Sequence, residues 1–239
     1  VGLIMLLITS SLAAHEPIIP DQTTRDKLVN LLEEISQWIV KSELGSGELK
    51  INAKRRTAIF INSNLSRILV AAYEITGKKE YLDEAFKWFD YFVNLQQETE
   101  ASNGMVAGYW GDFMPTDNIY LGDAGTSATA LAGIVRFADE NRKRRYMEAL
   151  EKYANFVRFG SKTDPQNKGR GAATSFIISE GKDKGAIGCG YYRGELSTAP
   201  YIISTSVTGA SFFSCLYMLT GQSEYLEIAK EATLWILKQ

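Results

Sequence analysis

The chain has 239 residues, enough for one sizeable core or two small ones. Its 26 Lys and Arg against 28 Asp and Glu give a net charge of -2, which supplies no basic surplus for gripping nucleic acid. A single histidine, His15, excludes a Ser-His-Asp triad, a Cys-His pair and a histidine-rich metal site, and neither GxxxxGK[ST] nor a strand-borne GxGxxG occurs, so neither a cofactor nor a metal is expected.

Residues 1 to 13, VGLIMLLITSSLA, read as the end of a secretory signal peptide with a small-x-small cleavage site. The expected mature domain runs from 14 to 239, is secreted and extracellular, and has no apolar run long enough to span a membrane. The chain starts on Val and stops at Gln239 inside a helical pattern, so a fragment of a longer protein is expected. Cys189 and Cys215 fit either a disulfide or two buried thiols.

Thr23 or Thr24 is placed to cap a first helix, with Leu28, Leu31, Leu32, Ile35, Trp38 and Ile39 on its apolar face. Residues 48 to 58 form a basic connector. Residues 62 to 95 then read as a helical hairpin. Leu65, Ile68, Leu69, Ala72 and Ile75 share one face, Gly77 breaks the pattern, and Tyr81, Leu82, Ala85, Phe86, Phe89 and Phe92 resume it. Residues 220 to 237, TGQSEYLEIAKEATLWIL, lie over residues 76 to 93, TGKKEYLDEAFKWFDYFV, without a gap. Residues 140 to 157 give a weaker third copy through Tyr146, Met147, Leu150 and Val157. Three hairpins and one lone helix are expected, and the unequal spacing of the copies argues against a regular solenoid. The expected fold is an all-α, incomplete α/α toroid. A small β-hairpin, built from residues 172 to 179 and 185 to 194 around a turn at Glu180 to Asp183, sits in the second long connection.

Two long connections are expected to meet at the common mouth of the hairpins. The first carries Tyr109, Trp110, Asp112, Phe113, Asp117, Asn118, Tyr120 and Asp123, and the second carries Tyr191, Tyr192, Arg193, Glu195 and Tyr201. Aromatic faces suit sugar rings, and a glycosidase needs two carboxyl groups flanking the scissile bond. Asp112 and Asp123, with Glu195 as a third candidate, are the expected acid/base residues. Tyr109, Trp110, Asp117, Asn118, Tyr191, Tyr192 and Arg193 are the expected substrate contacts. The competing roles are ordinary ones: Asp123 capping a helix, Asp112 in a turn, and the rings packing the loop. Asp112, Asp117, Asn118 and Asp123 also supply hard oxygens, but not at EF-hand spacing. Arg142 to Arg145 reads as a solvated turn between the fourth and fifth helices.

The segment FINSNLSRILVAAYEITGKKEYLDEAFKWFDYF, with its later copies, resembles the hairpins of the six-hairpin glycoside hydrolases, and is loosely similar to the endo-α-mannanase-like members. The resemblance spans most of residues 57 to 237 and lies in packing and turn positions. It implies an α/α toroid acting on or binding an extracellular glycan. The adjacent aspartate pair that carries catalysis in the mannanase-like members has no counterpart, since no Asp-Asp occurs. The alternative expectation is a non-catalytic scaffold of an extracellular or mineralised matrix.

Overall fold

A computed structural model describes residues 21 to 45, 47, 48, 57 to 111 and 118 to 239. The signal peptide expected at 1 to 13, His15, and most of the basic connector lie outside the described residues. The described chain is mostly helical with small antiparallel sheets. Its helices are α1 (Gln22–Ser42), α2 (Ile59–Thr76), α3 (Lys79–Asn94), α4 (Leu121–Ile134), α5 (Glu140–Phe159), α6 (Ile202–Thr220) and α7 (Ser223–Ile236).

The turns expected from the repeat have the same geometry in two copies. Gly77 and Gly221 both adopt φ 72°, a left-handed conformation open to glycine at no steric cost. Their amides donate to Tyr73 O and Tyr217 O, each at 2.8 Å. Thr76 and Thr220 each return their hydroxyl to the carbonyl four residues earlier and accept the amide two residues ahead. The third copy turns by other means. A single 3-10 turn (Val135–Phe137) ends α4, and the Asp139 carboxylate accepts Arg142 N–H at 2.8 Å to start α5. Arg142 to Arg145 therefore lie inside a helix, where Arg142 and Arg145 both pair with Asp90 on α3.

The helices form two layers. In one, α2, α4 and α6 lie side by side; in the other, α3, α5 and α7 back them. Small residues let the first layer close up: a Cβ on Gly125 of α4 would meet Thr208 Oγ1 of α6 at 1.9 Å. Thr208 Oγ1 in turn donates to Leu121 O at 2.6 Å. An aromatic chain then ties all three hairpins together. Trp88, Phe92, Trp110, Tyr153, Phe212, Phe213 and Tyr225 follow one another at centroid distances of 4.4 to 5.8 Å.

Three sequence expectations change. Asp21, not a threonine, caps α1 by accepting Thr24 N–H. The apolar stripe of α1 is only half used: Ile39 is buried and Leu32 packs on the core, while Leu28, Leu31, Ile35 and Trp38 face solvent, Trp38 at 50%. Periodicity reports an apolar face, not what covers it. Finally, α6 is long and apolar enough to cross a bilayer by length and composition, contrary to the expected absence of such a run. Here it is packed against α4 and α7, with Thr205, Thr208, Phe212, Phe213 and Leu216 buried.

The strands are β1 (Gln97–Glu100), β2 (Val106–Tyr109), β3 (Ile119–Tyr120), β4 (Gly188–Tyr192) and β5 (Glu195–Pro200). β1 and β2 form a hairpin that was not expected, turning through Asn103-Gly104. The hairpin expected between 172 to 179 and 185 to 194 survives only as an isolated bridge, Ile177 to Ile187. The fuller partner of β4 is β5, across the two-residue loop Arg193-Gly194, and β3 pairs with its other edge.

Candidate functional site

The start of α4 is held against the second connection by backbone pairing. Ile119 faces Tyr191 and Tyr120 faces Gly190 across β3 and β4. This brings Asn118 and Tyr120 beside Tyr192 and Arg193, with Asp123 in the first turn of α4 and Glu195 across β4 on β5. Tyr201, immediately before α6, completes the group.

Tyr120 and Tyr201 occupy the positions just before α4 and α6, so two neighbouring helix starts each deliver a tyrosine to the same end. The Tyr120 ring lies 5.1 Å from Tyr192 and 5.9 Å, edge-on, from Tyr201. It rests on the backbone of Gly122, where a Cβ would fall 2.3 Å from the ring. Burial, then the hydrogen bond to Tyr201, raises the Tyr120 hydroxyl far above the ordinary tyrosine range, so it stays protonated. Tyr201 is exposed at 38%, and Tyr192 is half-buried.

Strand alternation decides which tyrosine faces this group. Tyr191 points inward and is fully buried; Tyr192, one residue on, points the other way. The Tyr191 hydroxyl donates to Gly171 O at 3.0 Å, and burial pushes its pKa up to about 12. Tyr109 and Trp110 are buried as well. Tyr109 donates to Gln97 Oε1 at 2.7 Å, and Trp110 Nε1 donates to Phe92 O at 3.0 Å with its ring stacked on Phe92. A ring covered by protein on its faces offers no platform to a sugar. Tyr109, Trp110 and Tyr191, expected as substrate contacts, are therefore core residues, and the rings left at this end are Tyr120, Tyr192 and Tyr201.

Asp123 lies in the first turn of α4, half-buried, where the helix dipole favours a carboxylate. It is close enough to raise the Tyr120 and Tyr153 hydroxyls further. Glu195 is exposed opposite Tyr192. Asn118 Oδ1 accepts the Arg193 N–H at 2.9 Å, which ties the two connections a second time. Asp112 and Asp117 lie outside the described residues. No cluster of three or more His, Cys, Asp or Glu suited to a metal occurs among the described residues.

Below this group, residues 161 to 175 are organised by a buried ion pair. Asp164 accepts Arg170 Nε at 2.9 Å and Nη2 at 2.7 Å, and also the amides of Gln166, Lys168 and Arg170, each at 3.0 Å. The Arg170 guanidinium beside it, with these amides, holds the Asp164 carboxyl well below the usual carboxylate range. Arg170 lies 4.8 Å over the Tyr191 ring, so the pair supports β4 from beneath. No disulfide joins Cys189 on β4 to Cys215 on α6, and burial raises the Cys215 thiol.

Tyr120 and Tyr201 belong to the aromatic clusters that the sequence marks in the two connections, and each stands directly before a helix start. Comparison with models of known protein families and with curated protein sequences finds no match for this chain.

Proposed function

We propose that this protein is a secreted, carbohydrate-active protein of the glycoside hydrolase type, whose helical hairpins form part of an α/α toroid. The extracellular glycan lies across the mouth formed by Tyr120, Tyr192 and Tyr201. The single observation that carries the reading is the β3–β4 pairing, which gathers aromatic, carboxylate and amide groups at the starts of α4 and α6. The packing of α2, α4 and α6 side by side, with α3, α5 and α7 against them, supports the toroid. In this reading Asp123 and Glu195 are the acid/base pair, one protonating the leaving oxygen while the other acts as base or nucleophile. Asp112, which lies outside the described residues, stays the third acid/base candidate on sequence alone.

Reducing-end release from a panel of polysaccharides tests this. Loss of turnover in Asp123→Asn and Glu195→Gln, with folding intact, supports the assignment; unchanged turnover in both removes it. A second reading, a non-catalytic matrix scaffold, draws on the solvent-facing Leu28, Leu31, Ile35 and Trp38 of α1, which suit packing within an assembly. Recovery only from insoluble matrix, with no glycan turnover, would favour it.

A further inference from the structure

We infer that Arg193 makes this mouth selective for acidic glycans, by gripping a carboxylate or sulfate group of the sugar chain; the inference rests on the carbohydrate reading above. Among the described residues, five arginines pair with carboxylates: Arg136 with Glu74, Arg142 and Arg145 with Asp90, Arg158 with Glu224, and Arg170 with Asp164. Arg67 and Arg144 bond asparagine side chains. The Arg193 guanidinium instead rests on the Tyr192 ring, 5.2 Å from its centroid, and makes no ion pair among the described residues.

Its position is also fixed more firmly than a surface arginine requires. Arg193 is the first residue of the two-residue loop between β4 and β5, at φ 52°, with Gly194 following at φ 84°. Asn or Gly adopts that left-handed position readily, whereas a longer side chain is disfavoured there. The only other described non-glycine residue at positive φ is an asparagine, Asn167. The Arg193 amide is pinned to Asn118 Oδ1, and its side chain is laid on an aromatic face. A planar, unneutralised donor fork held at the edge of a tyrosine group is suited to bidentate recognition of an oxyanion. Tyr120 and Tyr201 alongside supply apolar surface for the sugar ring itself. Glu195, opposite Tyr192, carries the same sign as such a ligand and tempers its affinity.

The test compares binding of galacturonate oligosaccharides, sulfated galactose oligosaccharides and mannose oligosaccharides to the full chain and to Arg193→Asn, Arg193→Lys and Glu195→Gln. Asn suits the loop, so Arg193→Asn should fold at least as stably as the parent by thermal melting. Its affinity for the acidic ligand should fall by roughly tenfold or more, the scale of a lost charge-assisted hydrogen-bond pair. Arg193→Lys should recover part of the loss, and Glu195→Gln should bind the acidic ligand more tightly than the parent. Preference for the galacturonate or the sulfated series identifies which acidic group is read. Equal binding of neutral and acidic ligands, or full affinity in Arg193→Asn, overturns the selectivity while leaving the carbohydrate reading standing. Absence of binding to every oligosaccharide overturns both.

Discussion

Replacing Asp164 by Asn removes one charge and little volume, yet it should cost a large share of the stability. Both side chains of the Asp164–Arg170 pair are almost fully buried, at 4% and 3% exposure. The amide that replaces the carboxylate can accept on one side only. It therefore abandons part of the Arg170 fork or the amides of Gln166, Lys168 and Arg170. Breaking one partner of a buried pair costs about 3–5 kcal/mol, because the remaining charge stays buried without compensation. Against a typical total of about 5–15 kcal/mol, that is a large fraction. An apolar replacement of both partners would not rescue it, since the three backbone amides would still lack their acceptor. The pH dependence follows from the depressed carboxyl. Its contribution is fully present above the unfolded aspartate value of about 3.9 and is lost progressively as pH falls below it. Urea unfolding followed by circular dichroism at pH 7 and at acid pH measures both effects. The gap between parent and Asp164→Asn should be large at pH 7 and narrow below about pH 4. A gap under about 1 kcal/mol at pH 7 would refute the reasoning, as would one that widens in acid.

Other consequences are equally direct. Gly125→Ala drives a methyl into Thr208, whose Cα backbone atom also stands 3.0 Å away, and should destabilise by about 1–3 kcal/mol in a thermal or denaturant melt. Trp110→Ala should cost about 3–5 kcal/mol of stability while leaving glycan affinity per folded molecule unchanged, which separates a core ring from a sugar platform. Gly122→Ala displaces the Tyr120 ring and should weaken glycan binding with a smaller loss of stability than Gly125→Ala, read by titration and melting side by side. Alkylation of the unfolded chain without reductant should label both Cys189 and Cys215; labelling of neither would mean that they are joined.

The helical frame was readable because its signals are local. A TG turn needs a left-handed residue, so Gly77 and Gly221 mark helix ends wherever they occur, and the apolar faces of α2, α3 and α7 repeat with the helical period. The strands were less readable: β3 spans only Ile119 and Tyr120, too short for an alternating pattern to register. The turn of the β4–β5 hairpin was hidden by its sequence, since Arg-Gly replaces the usual Asn-Gly. That misplacement carried into the site. Once β4 pairs with β3, alternation sends Tyr191 to the core and Tyr192 to the mouth, a distinction of one residue that composition does not make. Tyr109 and Trp110 looked like a platform because aromatic residues in a glycine-rich loop suit sugar binding and core packing equally. Only their hydrogen bonds to Gln97 and Phe92 and their burial separate the two. The α1 stripe shows the converse case, a clean helical period without a covering partner among the described residues.

The proposed function requires the mouth tyrosines to meet a glycan. Hydroxyl-radical footprinting of the full chain, with and without the best-binding oligosaccharide, reads this directly through oxidation of individual side chains. Protection should concentrate on Tyr192 and Tyr201, with Trp38 and Met105 oxidised as before. Protection centred on Trp38, or an unchanged pattern at the tyrosines under saturating ligand, would contradict it.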